Sequence, residues 1–252
     1  LDALPAWARG IELPDPFLPR APRLFTGRHN PFGGGTVKVD RLVVGPFQVN
    51  TYIIYLEDRD DAVVVDPGAD SAGILKRLSQ IERSVSDILI THGHADHIMA
   101  ASAIKNAFPG AHLRIHARDA HMLTDPRANL SMAFGYEATA PPADAFLEGG
   151  TEVKAAGVTF SVEHVPGHSP GSVCLVPNGL PAIVFSGDTL FAGTIGRTDF
   201  PGGNMGLLVA EIREKILTLP DDTVVYPGHG EITTVGIEKR DNYFVVRPDS
   251  DF

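Results

Sequence analysis

The segment Ile88-Leu89-Ile90-Thr91-His92-Gly93-His94-Ala95-Asp96-His97 decides how this chain is read. Its apolar opening predicts a buried strand over 87–91. Four metal-binding side chains (His92, His94, Asp96 and His97) then fall within six residues, where that strand would end. α/β proteins usually build their sites at strand ends. Imidazole and carboxylate together suit zinc, iron or manganese better than calcium or magnesium. Histidine runs also occur in tags and solvated loops. This one lies mid-chain, joins a strand to a helix-like segment, and has partners downstream.

Working outward, strands are expected at 37–44 and 49–56, rich in β-branched and aromatic residues and separated by Gly45-Pro46. The run Ala62-Val63-Val64-Val65 lacks alternation and reads as a strand buried on both faces. Asp70 or Ser71 is placed to cap a helix through Leu78, with Ile74, Leu75 and Leu78 on its apolar stripe. After the histidine cluster a helix is expected over 96–108, stopped by Pro109-Gly110. A short strand at 113–115 and a short helix at 117–123 follow. Residues 124–150 show no periodicity, and a loop of that length inside a compact domain is often functional. The second half predicts strands at 151–155, 158–164, 172–176, 182–186 and 224–226. A helix over 205–217 carries Leu207, Leu208, Ile212 and Ile216 on its stripe. Strands followed by helices, in two halves, predict an α/β fold of two packed sheets flanked by helices. Prolines 5, 14, 16, 19, 22 and 31 make residues 1–36 an extended arm, leaving 37–252 as one domain.

Composition narrows the functional classes. Acidic residues outnumber basic ones 31 to 21, a formal charge of −10, which argues against nucleic acid or an anionic membrane as partner. No apolar run reaches the length of a membrane-spanning helix. The opening Leu1-Asp2-Ala3 shows no basic-then-apolar export pattern. Cys174 is the single cysteine, so no intrachain disulfide forms, and a reducing, cytoplasmic compartment is expected. Within Ser172-Val173-Cys174-Leu175-Val176 it reads as a buried strand residue rather than a nucleophile. A small-molecule substrate is the expected partner, with self-association left open.

Three more candidate ligands each follow a strand candidate: His168 in Pro166-Gly167-His168-Ser169-Pro170-Gly171, Asp188 closing Phe185-Ser186-Gly187-Asp188, and His229 in Pro227-Gly228-His229-Gly230. Glycines beside them let the backbone approach a metal closely. With the first cluster this makes five imidazoles and two carboxylates. That set is too large for one tetrahedral ion and suits two ions sharing a carboxylate. Asp66, before Pro67-Gly68, is a candidate to orient a ligand imidazole. Arg197 either contacts a substrate carboxylate or pairs with Asp199 to hold its own loop.

Taken together, His-x-His-x-Asp-His, Gly-His-Ser-Pro-Gly, Ser-Gly-Asp and Pro-Gly-His resemble the metallo-β-lactamase superfamily, in order over about residues 40–244. The stretch from Phe191 to Gly203, with Gly196-Arg197-Thr198-Asp199-Phe200 at its centre, is similar to the short, glyoxalase II-like hydrolases. The resemblance implies an αββα sandwich with its site at one edge. It also implies two divalent ions, zinc favoured over iron or manganese. His92, His94 and His168 would hold the first ion, and Asp96, His97 and His229 the second. Asp188 would bridge them. The implied activity is hydrolysis of glutathione-type thioesters by a metal-bridging hydroxide, with Asp96 orienting the nucleophile. A β-lactamase of the commonest zinc type would carry a cysteine at the position of Asp188, so the resemblance points away from antibiotic hydrolysis by that route. Two alternatives stay open. One is a persulfide dioxygenase with a single iron on His92, His168 and Asp188; the other is a non-catalytic metal-binding protein.

Overall fold

The computed structural model describes residues 36–179 and 182–246. The arm expected over 1–36 lies outside them except for Thr36, whose carbonyl accepts from the Glu57 amide. The first half runs β1 (Val37–Val44), β2 (Val49–Leu56), β3 (Asp61–Val65), α1 (Ser71–Gln80), β4 (Ser84–Leu89), α2 (Ala95–Ile98), α3 (Ala101–Ala107), β5 (His112–Ile115) and β6 (Ala145–Phe146). Single 3-10 turns at Ala120–Leu123 and Ser131–Phe134 separate β5 from β6. The second half runs β7 (Glu152–Ala155), β8 (Val158–His164), β9 (Val173–Pro177), β10 (Ile183–Gly187), β11 (Leu190–Phe191) and β12 (Thr194–Ile195). Then come α4 (Met205–Glu211), a π turn (Ile212–Ile216), β13 (Val224–Pro227), β14 (Thr233–Thr234), α5 (Val235–Asp241) and α6 (Tyr243–Val246).

Strands β1 to β6 form one six-stranded sheet in sequence order; β14-β13-β10-β9-β8-β7 form the other, and β11 and β12 pair apart. Both large sheets are mixed. β3 and β4 are parallel, as are β10 and β13, while β1–β2 and β8–β9 are antiparallel.

The period-2 alternation of each strand explains the layering. In β2, Ile53 and Tyr55 join an apolar cluster with Ile74 and Leu78 of α1 and Ile104 of α3. Its intervening residues Tyr52, Ile54 and Leu56 join Phe160, Leu175 and Phe185 of the opposite sheet. In β10, Phe185 faces that central layer, whereas Val184 packs with Leu208, Ile212 and Ile216 on the outer side. Sheet against sheet with helices outside both is the αββα sandwich. Every residue of β2 is buried, as expected of a strand covered on both faces. Full burial of one such aliphatic side chain stabilises by roughly 1.5–3 kcal/mol. Edge-to-face contacts of Tyr52 with Phe185 and Tyr226, ring centroids 5.2 and 5.3 Å apart, fasten the sheets near the site.

Two expectations need correction. The helix expected over 96–108 is two helices. The Ala100 amide turns to the Pro67 carbonyl at 2.9 Å, and the Asp96 carbonyl it would have bonded packs against Gly68. The tertiary contact of the 66–68 loop breaks the helix at the point where its first turn must present Asp96 and His97. On α4, Leu207 is 40% exposed, while Val209 takes its place beside Leu208 in the core. Leu207 lies about 100° of rotation from Leu208, and the π turn, with Leu217 N bonded to Ile212 O, re-phases the stripe after it.

Candidate metal centre

Parallel pairing puts the C-terminal ends of β3, β4, β10 and β13 at one edge of the sandwich, and the candidate ligands follow those ends. His92 to His97 follow β4, His168 follows β8, Asp188 follows β10, and His229 follows β13. The structure brings all seven together in three overlapping groups able to hold an ion: His92, His94 and His168; His92, His97 and Asp188; Asp96, His97 and His229. His168 Nε2 lies 3.2 Å from His92 Nε2 and 2.9 Å from His94 Nδ1. Across the site His97 Nε2 is 3.3 Å from His229 Nε2. Asp188 stands between, with Oδ1 3.3 Å from His97 Nε2 and Oδ2 3.7 Å from His168 Nε2 and 3.5 Å from His229 Nε2. Asp96 Oδ2 is 3.3 Å from His229 Nε2.

The outer ring nitrogens decide what these contacts are. Nδ1 of His168 donates to the Arg197 carbonyl at 2.8 Å, and Nδ1 of His229 donates to the Phe47 carbonyl at 2.9 Å. Asp66, 1% exposed, accepts from the Thr91 amide, the Thr91 hydroxyl and His97 Nδ1. Because the Thr91 hydroxyl gives its proton to Asp66, its oxygen accepts from His92 Nδ1 at 3.2 Å. With Nδ1 engaged outward, each of these four rings turns its Nε2 into the cluster, where it is a lone-pair donor whenever the ring is neutral. Bare lone pairs 3.2–3.3 Å apart repel unless positive charge lies between them. Asp188 Oδ1 is buried and has no hydrogen-bond donor among the described residues. Inward-facing ring nitrogens around a buried carboxylate fit a cation, metal ion or proton, and are costly without one.

Electrostatics divide the site. Burial, reinforced by neighbouring imidazoles, pushes His92 well below the usual histidine range. Burial and His168 bring His94 down to about 3. His97 moves the other way: burial opposes its charge, but Asp188, Asp96 and Asp66 outweigh that and hold it well above the usual range. Asp188 is likewise penalised by burial and yet held low, chiefly by His97. The carboxylate half of the site thus draws in positive charge, while the His92–His94 half offers neutral donors.

The glycine beside His229 has a steric reason. A Cβ on Gly228 would collide with Asp188 Oδ1 and sit 2.8 Å from His97 Cε1. Of the two roles considered for Arg197, the structure shows the pairing with Asp199. Arg197 lines the cavity in front of the cluster, yet its Nε and Nη2 each donate to Asp199 at 2.7 Å, and its guanidinium lies over the Phe200 ring at 3.9 Å. The aperiodic 124–150 stretch supplies one cavity wall through Asn129, Leu130, Phe134 and Tyr136. Cys174 is buried, and burial pushes its thiol up to about 12, as befits an inert core residue. His164 stacks on His116 with centroids 4.1 Å apart, away from the cluster. Lys239 pairs with Asp221, and Arg240 with Asp241.

One residue of the site gave no signal in the sequence. Asp119, fully buried, accepts from the Gly93 amide, the Ser169 hydroxyl and the Gly171 amide. It thereby ties the loop of His92 and His94 to the loop of His168. An aspartate between Arg118 and Ala120 carries no motif, and its partners at 169–171 lie some fifty residues away in sequence. Asn50 and Tyr52 act similarly on the last loop, donating to the Pro227 carbonyl at 2.9 and 2.6 Å.

Comparison with known proteins agrees with this geometry. Residues 44–229 match the family described as the metallo-beta-lactamase superfamily. Hydroxyacylglutathione hydrolase GloC of Haemophilus influenzae is 34% identical over 215 residues, covering 83% of this chain and 98% of GloC. The crystal structure of BLEG-1 B3 metallo-beta-lactamase superposes with a TM-score of 0.79 at 40% identity, covering 83% of this chain and all of that one. TTHA1623, solved in a di-iron-bound form, superposes with a TM-score of 0.72 at 36% identity over 82% of this chain and all of that one. By sequence match and sandwich architecture, the chain belongs to the metallo-beta-lactamase superfamily.

Proposed function

We propose that the protein is a dinuclear metallohydrolase of thioesters of the glutathione type. The observation that carries this reading is the position of Asp188, whose two oxygens face different histidines in a cluster of bare imidazole nitrogens. His92, His94 and His168 would hold one divalent ion, Asp96, His97 and His229 would hold a second, and Asp188 is placed to serve both. Zinc is the favoured metal, with iron or manganese as alternatives; TTHA1623, 36% identical, holds two irons. Bound there, two cations supply Lewis-acid polarisation of the thioester carbonyl and a lowered pKa for water.

The protein's own residues do the rest. Asp96 lines the cavity and has one oxygen turned to His229; its other oxygen orients the attacking water and accepts its proton. Asp66, through His97, and the Phe47 and Arg197 carbonyls, through His229 and His168, fix the rings in place. Water adds to the acyl carbon, the C–S bond breaks, and carboxylate and thiol leave. A thiolate is a good enough leaving group to need no strong general acid.

The resemblance to GloC, a hydroxyacylglutathione hydrolase, supports the substrate class. A second reading, hydrolysis of a β-lactam amide, is favoured by the 40% identity to BLEG-1. The two separate in one assay, in which zinc- and iron-reconstituted proteins are each given S-D-lactoylglutathione, a β-lactam, and glutathione persulfide with an oxygen electrode. Thioester turnover exceeding β-lactam turnover at least a hundredfold, without oxygen uptake, is the expected result. Oxygen consumption by the iron form would instead favour the mononuclear dioxygenase.

Asp66→Asn should lower zinc affinity about ten- to a hundredfold, because an amide cannot accept from both Thr91 and His97 as the carboxylate does. Competition with a chromogenic chelator measures this. An unchanged affinity would mean that Asp66 does not position His97 for metal.

A further inference from the structure

The cavity in front of the cluster has a volume of about 420 Å³, within the range of small-molecule sites. Apart from the candidate ligands, its walls are chiefly Phe47, Leu130, Phe134, Phe191, Ile195 and Phe200. Two of these rings are displayed rather than buried. Phe47 is 37% and Phe134 51% exposed, and they meet edge to face across 5.3 Å. They come from separate elements, the β1–β2 turn and the 3-10 turn Ser131–Phe134, each flanked by a left-handed non-glycine residue. Gln48, beside Phe47, has φ +54°, and Leu130, before Ser131, has φ +71°. Large rings held at a cavity mouth expose apolar surface that a ligand would cover.

The polar groups on these walls have little to offer a charged ligand. Asn129 gives its amide hydrogens to the Met122 and Ala138 carbonyls, and its oxygen accepts from the Ser131 amide and hydroxyl. Arg197, the cation on the wall, pairs with Asp199 through two nitrogens and is largely exposed, so its remaining donors serve the rim of the cavity rather than its interior. Tyr136 contributes a buried hydroxyl with no partner among the described residues, enough for a single polar atom. Glutathione carries two carboxylates and an ammonium group. Burying them here would leave their desolvation uncompensated, whereas an apolar ring would gain edge and face contacts with Phe47, Phe134 and Phe200.

We propose that the cavity is an acyl-recognition site for an apolar, ring-bearing acyl group, gripped by Phe47 and Phe134, while the charged thiol portion stays at the solvent-facing rim. The inference rests on the thioester reading for the leaving group, but its ligand class stands on the cavity alone.

The test pairs turnover with binding. Zinc-reconstituted protein is given S-phenylacetylglutathione and S-D-lactoylglutathione. Calorimetry then compares their non-hydrolysable ketone analogues, in which a methylene separates carbonyl from sulfur, one bearing a benzyl and the other a 1-hydroxyethyl group. At least a tenfold preference for the ring-bearing partner is expected in both kcat/KM and Kd. Phe134→Ala and Phe47→Ala should each reduce that ratio at least threefold at unchanged zinc content. Equal constants for both partners, or a preference for lactoyl, would overturn the inference and leave the thioesterase reading intact. Tighter binding of the benzyl analogue with no thioester turned over would support the acyl-pocket assignment and sink the thioesterase reading.

Discussion

Asp188→Ala is expected to lower kcat/KM for thioester hydrolysis by ~10³-fold or more, equivalent to about 4 kcal/mol of transition-state stabilisation, and to leave the protein with at most one tightly held ion. Asp188 is the carboxylate within 3.7 Å of His97, His168 and His229 together. Without it, two cations would face each other with one negative charge fewer between them, an added repulsion of several kcal/mol at short range in a partly buried site. The fold should survive, because the side chain reaches into the cluster rather than the core, so circular dichroism and Tm of the metal-free protein serve as controls. Near-normal activity in metal-replete Asp188→Ala protein would remove the bridging role.

Asp119→Ala should have the largest effect on stability among substitutions that touch no candidate ligand. It strands three buried donors, Gly93 N, Ser169 Oγ and Gly171 N. At about 1–3 kcal/mol for each unsatisfied group the loss is roughly 3–9 kcal/mol, or at least about 6 °C in Tm. The loops carrying His94 and His168 would also separate, so zinc affinity falls with stability. Gly171 is shaped for this contact, since a Cβ there would sit 2.6 Å from Asp119 Cγ. Differential scanning calorimetry with and without zinc checks the prediction. A Tm within 2 °C of the parent protein, with full zinc binding, would show that the two loops hold themselves together.

What could be read from the sequence was local. His-x-His-x-Asp-His packs four candidate ligands into one strand-to-helix turn, and strands such as β1 and β2 announce themselves through β-branched runs ended by Gly45-Pro46. The layered sandwich followed from those patterns and from the family resemblance. Long-range contacts were not legible. Nothing within 96–108 predicts a break at Ala100, because the break is made by the Pro67 carbonyl from another loop. Asp119 is silent for the same reason, its partners arriving from β4 and from the β8–β9 connection. Arg197 was recognisable as a choice between two roles, and only the placement of Asp199 and Phe200 around its guanidinium shows that its own loop holds it at the cavity wall. Periodicity also misjudged Leu207, since a stripe of apolar residues does not reveal where a π turn will shift its phase.

The most direct test of a two-ion site bridged by Asp188 is a titration of metal-free protein with zinc, following S-D-lactoylglutathione hydrolysis and bound zinc per chain together. Activity that rises in proportion to the second equivalent and levels at two ions per chain is the predicted result. Activity that is complete at one equivalent, with His229→Ala indistinguishable from the parent protein, would contradict the dinuclear account.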